Sequence, residues 1–178
     1  MLAIRLLATL LVVAATTAPA LADANSDVYN AMVGLEKLRS YHMDMTIRGK
    51  PASADVVNPD RRHVVMPQVE MYAIGQTTYV KLHGTAWRKY PGAPNATSFG
   101  DFAKTMQAKR GEYVATDLGT RVVDGTPLHA YQVRRKSSGK DDSKLFLDAQ
   151  GRVARIEAGP TVMRISKFNE PVTIQAPI

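Results

Sequence analysis

No cysteine occurs among the 178 residues. Disulfides, thiolate metal sites and cysteine nucleophiles are excluded together. A lipid anchor of the bacterial lipoprotein kind, which needs a cysteine at the mature start, is not expected either. Aromatic residues are sparse, at 7%, with one tryptophan. They do not interleave with the cations as a base-stacking platform requires, so nucleic acid is not an expected partner. The motifs H-E-x-x-H, G-x-S-x-G, the P-loop and the dinucleotide fingerprint are all missing. His42, His63, His83 and His129 each fall singly on a different strand or its edge. Asp141-Asp142 sits in a turn between Lys140 and Lys144, and Asp44 lies on the polar side of its strand. These are ordinary solvated positions, so no metal, no cofactor and no catalytic residue is expected, and the chain reads as a non-enzyme.

Long apolar runs are missing too, except at the start. MLAIRLLATLLVVAATTAPALA has one cation, Arg5, an apolar run from Leu6 to Ala15, and small residues ending in Ala20-Leu21-Ala22. That is the layout of a secretory signal peptide cut after Ala22. The run falls short of the roughly 20 apolar residues a membrane span needs. Residues 1–22 are therefore expected to be removed, leaving 23–178 as a single soluble periplasmic domain. About 156 residues suffice for one good core. Without disulfides, that core must hold by burial alone.

The formal charge is +7, with the cations scattered along the chain. In an exported protein this suggests attraction to anionic lipid head groups, with a charge that serves solubility alone as the open alternative.

Periodicity supplies the elements. Val28, Met32, Leu35 and Leu38 recur at helical spacing after the capping candidates Asn25-Ser26-Asp27, predicting a helix over 26–39. The stretch YHMDMTIR, residues 41–48, alternates without a fault, with Tyr41, Met43, Met45 and Ile47 on one face. Strands are predicted at 54–58, 61–66, 69–74 and 77–82, after which Trp87 to Pro91 leaves the sheet. A second amphipathic helix is predicted through Phe99, Phe102 and Met106, behind the loop 92–97. Strands at 113–118, 128–135, 144–148, 152–158 and 162–168 complete the chain. The fold class is α+β: a large antiparallel sheet with two amphipathic helices on one face.

Seven of the eight methionines lie beyond the leader. Five of these fall on strands, where stiff Val and Ile are the usual choice. Methionine is flexible and polarisable, and suits a surface that meets varied apolar partners. Ordinary core filling remains open on composition alone.

The order of motifs resembles the LolA-like superfamily of bacterial envelope proteins, which takes in the periplasmic lipoprotein carriers LolA and LolB and lipid-binding proteins of the LppX and LprG kind. The parallel covers most of the chain after the leader. Val57-Asn58-Pro59-Asp60-Arg61-Arg62-His63 is similar to the family's turn into its third strand. Glu70 to Tyr79 is similar to its next hairpin, and Ile165 to Pro177 resembles the close of the glycolipid-binding branch. The carriers have tryptophan where Tyr79 stands, and a glutamine-rich first strand that is absent here. The resemblance implies a strongly curved, incomplete β-barrel whose open side is covered by helices over an apolar cavity. It further implies a carrier or binding protein for lipid, lipoprotein acyl chains or another amphiphile. Its ligand-binding wall would comprise Tyr41, Met43, Met45, Ile47, Met66 and Met71, with Phe99, Phe102 and Met106 as a lid. The alternatives are an envelope interaction or sensor module with a filled core, and an enzyme using the same cavity.

Overall fold

The computed structural model describes residues 23–91, 110–137 and 143–178. Its one described α-helix, α1, spans Ala24–Lys37. The cap is Asp23 rather than Asn25 to Asp27: its side chain accepts from the Asn25 amide at 3.2 Å. Val28, Ala31, Met32 and Leu35 form the buried stripe.

Eleven strands make one sheet: β1 Ser40–Ile47, β2 Lys50–Val57, β3 Arg61–Met66, β4 Val69–Ile74, β5 Thr77–Leu82, β6 Arg88–Pro91, β7 Tyr113–Val123, β8 Thr126–Arg135, β9 Ser143–Leu147, β10 Val153–Ala158 and β11 Thr161–Ser166. Their order is β6-β5-β4-β3-β2-β1-β11-β10-β9-β8-β7. Every pair is antiparallel. The chain is thus a meander in two arms, zipped together where β1 meets β11. The sheet is open: β6 and β7 are its edges.

Three strands depart from expectation. Arg88 to Pro91 does not leave the sheet but pairs with β5 from Val80 to Thr77. It is an edge strand, and its proline sits at the terminus, where a missing N–H costs no ladder bond. Lys50-Pro51 belongs to β2 rather than to a turn, because Pro51 stands at the strand's start opposite Thr46. β7 runs five residues past Leu118, because Gly119 does not end it. A bulge there is absorbed by a φ of +70° at Gly119, whose amide donates to Asp117 at 2.6 Å.

The helix also reports the shape of the sheet. Near its start the Asn25 side chain accepts from the Ala115 amide of β7 at 2.7 Å. Near its end the Leu35 carbonyl accepts from the Asn58 side chain, just after β2, at 3.0 Å. Those ten residues of helix span about 15 Å, whereas a flat sheet would hold β7 and β2 about 29 Å apart. The sheet is therefore curled around α1. The main core unites Val28, Met32 and Leu35 with Tyr41, Met43, Val56, Tyr131, Leu145, Val153 and Ile165, and Leu128, Ala130 and Phe146 form a smaller second cluster on the other face. The second expected helix, with Phe99, Phe102 and Met106, lies outside the described residues, as do the leader and Asp141-Asp142.

Candidate functional site

Opposed residues of an antiparallel pair point to the same side, so register decides which side chains share a face. Met45 lies opposite Met163, which in turn faces Ile156. Met43 sits between Ile165 and Ala54. From Ala54 the row continues through Val64, Met71 and Val80. Met66 faces Val69, and Val69 faces Leu82. All five strand methionines therefore occupy the helix-facing side of the sheet.

They do so in two environments. Tyr41 and Met43 are buried under α1 beside Met32. Met45 and Met163 are half-buried at the margin of that core. Met71 is half-buried on the β1–β6 arm, away from the α1 core, while Met66 and Ile47 are exposed. The six described candidates are thus brought onto one face, running from a packed region to an open one. Burial pushes the Tyr41 hydroxyl up to about 12, against the opposing pull of Arg62. Farther along the same face the Thr78 hydroxyl is buried with no hydrogen-bond partner among the described residues.

A groove of about 530 Å³ runs between α1 and the β9–β10 turn. Ala31, Leu35, Leu38 and Leu147 give it an apolar floor, and Asp27, Gln150 and Arg152 a polar margin. Tyr131 donates to Asp27 at 3.0 Å, and burial, with that contact, raises the tyrosine's pKa. Arg152 donates to Asp148 at 2.7 Å and stacks its guanidinium 4.2 Å from the Phe168 ring centre. Sequence reading missed this groove because its walls are far apart in the chain. The one local signal was Gly34 in mid-helix, where a side chain would meet nothing within 4 Å.

Across β1, β2 and β3 the side of the sheet away from α1 is polar, while on β8 and β9 that side carries the buried cluster of Leu128, Ala130 and Phe146. His42 lies between Asp55, 2.6 Å from Nδ1, and Asp44, 3.3 Å from Nε2. Ser166 stands opposite His42 across the β1–β11 ladder, giving a serine, a histidine and an aspartate in line on adjacent strands. No hydrogen bond joins Ser166 to the ring, whose Nε2 is turned to Asp44 instead, so the nucleophile contact of a catalytic triad is not formed. On that same side His63 meets Glu70 at 3.0 Å, whereas His129, on the helix-facing side beside the groove, meets Asp117 at 2.8 Å. Each histidine of these three thus has its own carboxylate, and no cluster of metal-binding geometry occurs among the described residues. Among those residues, too, no helix is long and apolar enough to cross a membrane.

No family model matches this sequence, and no curated protein matches it. Solved structures do match in shape. The lipoprotein LppX of Mycobacterium tuberculosis superposes with a TM-score of 0.59 at 18% identity, over 85% of this chain and 98% of LppX. The fold is shared with LppX. The MucA/MucB complex of Pseudomonas aeruginosa matches with a TM-score of 0.51 at 12% identity, over 83% of this chain. This chain spans 56% of the length of that MucB structure. A LolA superfamily protein of Nitrosomonas europaea, NE2245, aligns over 86% of this chain at 10% identity, with a TM-score of 0.32 that carries no weight. At these identities the likeness extends to the fold alone.

Proposed function

We propose that this protein is a periplasmic, non-catalytic carrier or binding protein, which holds a lipid, a lipoprotein acyl chain or another amphiphile against the helix-facing side of its sheet. One observation carries the reading: the five strand methionines share that side, and it continues beyond the α1 core through Met71, Val80 and Leu82. Flexible side chains on an incompletely packed face can rearrange around an acyl chain, where interlocked Val and Ile could not. Burial of the chain would contribute about 0.8 kcal/mol per methylene. The fold shared with LppX supports the same reading, as does the apolar leader, which points to export.

Glutamate substitutions separate the two environments of the face. Met43→Glu places a charge in the packed core and is expected to prevent folding, at a cost of several kcal/mol. Met71→Glu, on the half-buried stretch, is expected to leave the circular dichroism spectrum intact while abolishing displacement of a fluorescent fatty acid. A folded Met71→Glu variant that binds as the native protein does would contradict the assignment.

A second reading has its own support. β7 is an eleven-residue edge strand, with Val114 and Val122 exposed along it. A free edge of that length can accept a strand from another protein. The similar MucB structure was solved in complex with MucA. An envelope interaction module is therefore the alternative function.

A further inference from the structure

The antiparallel register sends the β1–β2, β3–β4 and β5–β6 turns to one end of the β1–β6 arm. Four of the eight exposed large apolar side chains among the described residues gather there: Ile47 at 40%, Val65 at 40%, Met66 at 37% and Leu82 at 52%. Along the helix-facing lip, Met66, Val69 and Leu82 are linked by direct cross-strand pairing. Exposed apolar groups in such density mark an interaction surface.

The charges around them are of one sign. Arg48 and Lys50 flank the β1–β2 turn, Lys81 is the penultimate residue of β5, and Arg88 opens β6. Arg48, Lys50 and Arg88 have no carboxylate partner among the described residues. The one acid near these turns, Glu70, is engaged by His63 at 3.0 Å. At the opposite end of the arm, the β2–β3 and β4–β5 turns hold Asp60 beside Arg61 and no exposed large apolar side chain. Of the exposed large apolar side chains described on this arm, only Tyr90, opposite Thr78, lies toward that other end.

We propose that this end of the β1–β6 arm docks on an anionic lipid surface. Apolar turn tips ringed by cations fit the interfacial zone of a membrane, where side chains enter the acyl boundary and cations meet phosphate head groups. The proposal rests on the carrier reading in one respect: the lip is the exposed margin of the methionine-bearing face, so docking would bring that face to the source of its ligand. A protein partner would be better served by acids as well as bases across the patch.

Trp87, the only tryptophan, lies in the β5–β6 connection, 5.4 Å from the Tyr72 ring and under the Lys81 ammonium at 5.7 Å. It is a reporter at the docking end. The experiment uses protein recovered from the envelope, mixed with vesicles of phosphatidylcholine alone or with one-third phosphatidylglycerol. Co-sedimentation is followed together with Trp87 emission, and with its quenching by brominated lipid. The expected result is binding to the anionic vesicles only, a blue shift with quenching, and loss of both in about 0.5 M salt. The double variant Arg48→Glu, Lys50→Glu should bind at least ten-fold more weakly, with fatty-acid displacement unchanged. Several results would overturn the proposal: equal binding to neutral vesicles, sedimentation with Trp87 unmoved, native binding by the charge-reversed variant, or no vesicle binding at all. The last would favour a protein at this rim. Docking without any fatty-acid displacement would keep the rim and remove the carrier function.

Discussion

Asp124 shows how much one side chain can organise on the face away from the helix. With Gly125 it forms a two-residue hairpin turn, both residues at positive φ, +50° and +79°. Asp-Gly is the pair that such a primed turn favours. Its carboxylate then reaches beyond the hairpin, accepting from Arg164 at 2.8 Å and from Arg155 at 3.2 Å. The Arg164 hydrogen bond and charge, with a smaller contribution from Arg155, hold its pKa below the ordinary 3.8. A carboxyl depressed by folding contributes stability that is complete above its ordinary value and is lost as pH falls through the folded one. Asp124→Asn keeps a residue that tolerates positive φ and removes only the charge. The variant is expected to melt slightly below the native protein at pH 7, with the difference closing as pH drops below 3.8. A gap that persists unchanged in acid would show that the clasp works by something other than charge. The arginine pairing was not legible in the sequence, because Asp124 lies 31 and 40 residues from its partners.

Among the elements, α1 depends on a residue outside it. The Asn58 side-chain amide donates to the Leu35 carbonyl at 3.0 Å and the Leu38 carbonyl at 2.8 Å, satisfying acceptors that a helix end leaves open. The Asn58 backbone amide adds a bond to Arg39 at 2.9 Å. Asn58→Ala should therefore cost about 1–3 kcal/mol in chemical denaturation, since part-buried carbonyls lose their donor. A loss below about 0.5 kcal/mol would show that water replaces it freely. Alternation made most strands legible: 61–66, 69–74 and 77–82 stand where the pattern puts them. The misses share a cause. Pro51, Pro91 and Gly119 lie beyond the predicted strands, yet each is tolerated inside one by its place: a strand start, an edge terminus and a bulge. Pairing with a neighbour, which local pattern does not contain, decides such cases.

At the scale of the molecule, the meander returns its last strand to its first, and the curl around α1 makes one face the inside. That Met43 and Met45 would share a face was readable from strand parity, whereas Met66, Met71 and Met163 join them only through the register. How deeply each would be buried was not, since Met43 and Met45 are two residues apart and differ only in what α1 covers. The groove beside α1 and the cationic rim were also hidden, because each is assembled from segments far apart in the chain. The central claim is that the inner face carries an amphiphile. Native mass spectrometry of the protein recovered from its own envelope tests it most directly. The account predicts a chain beginning at Asp23 with an added mass that detergent releases and that proves to be an acyl-bearing molecule. A bare protein mass, unchanged after incubation with fatty acids and phospholipids, would contradict it.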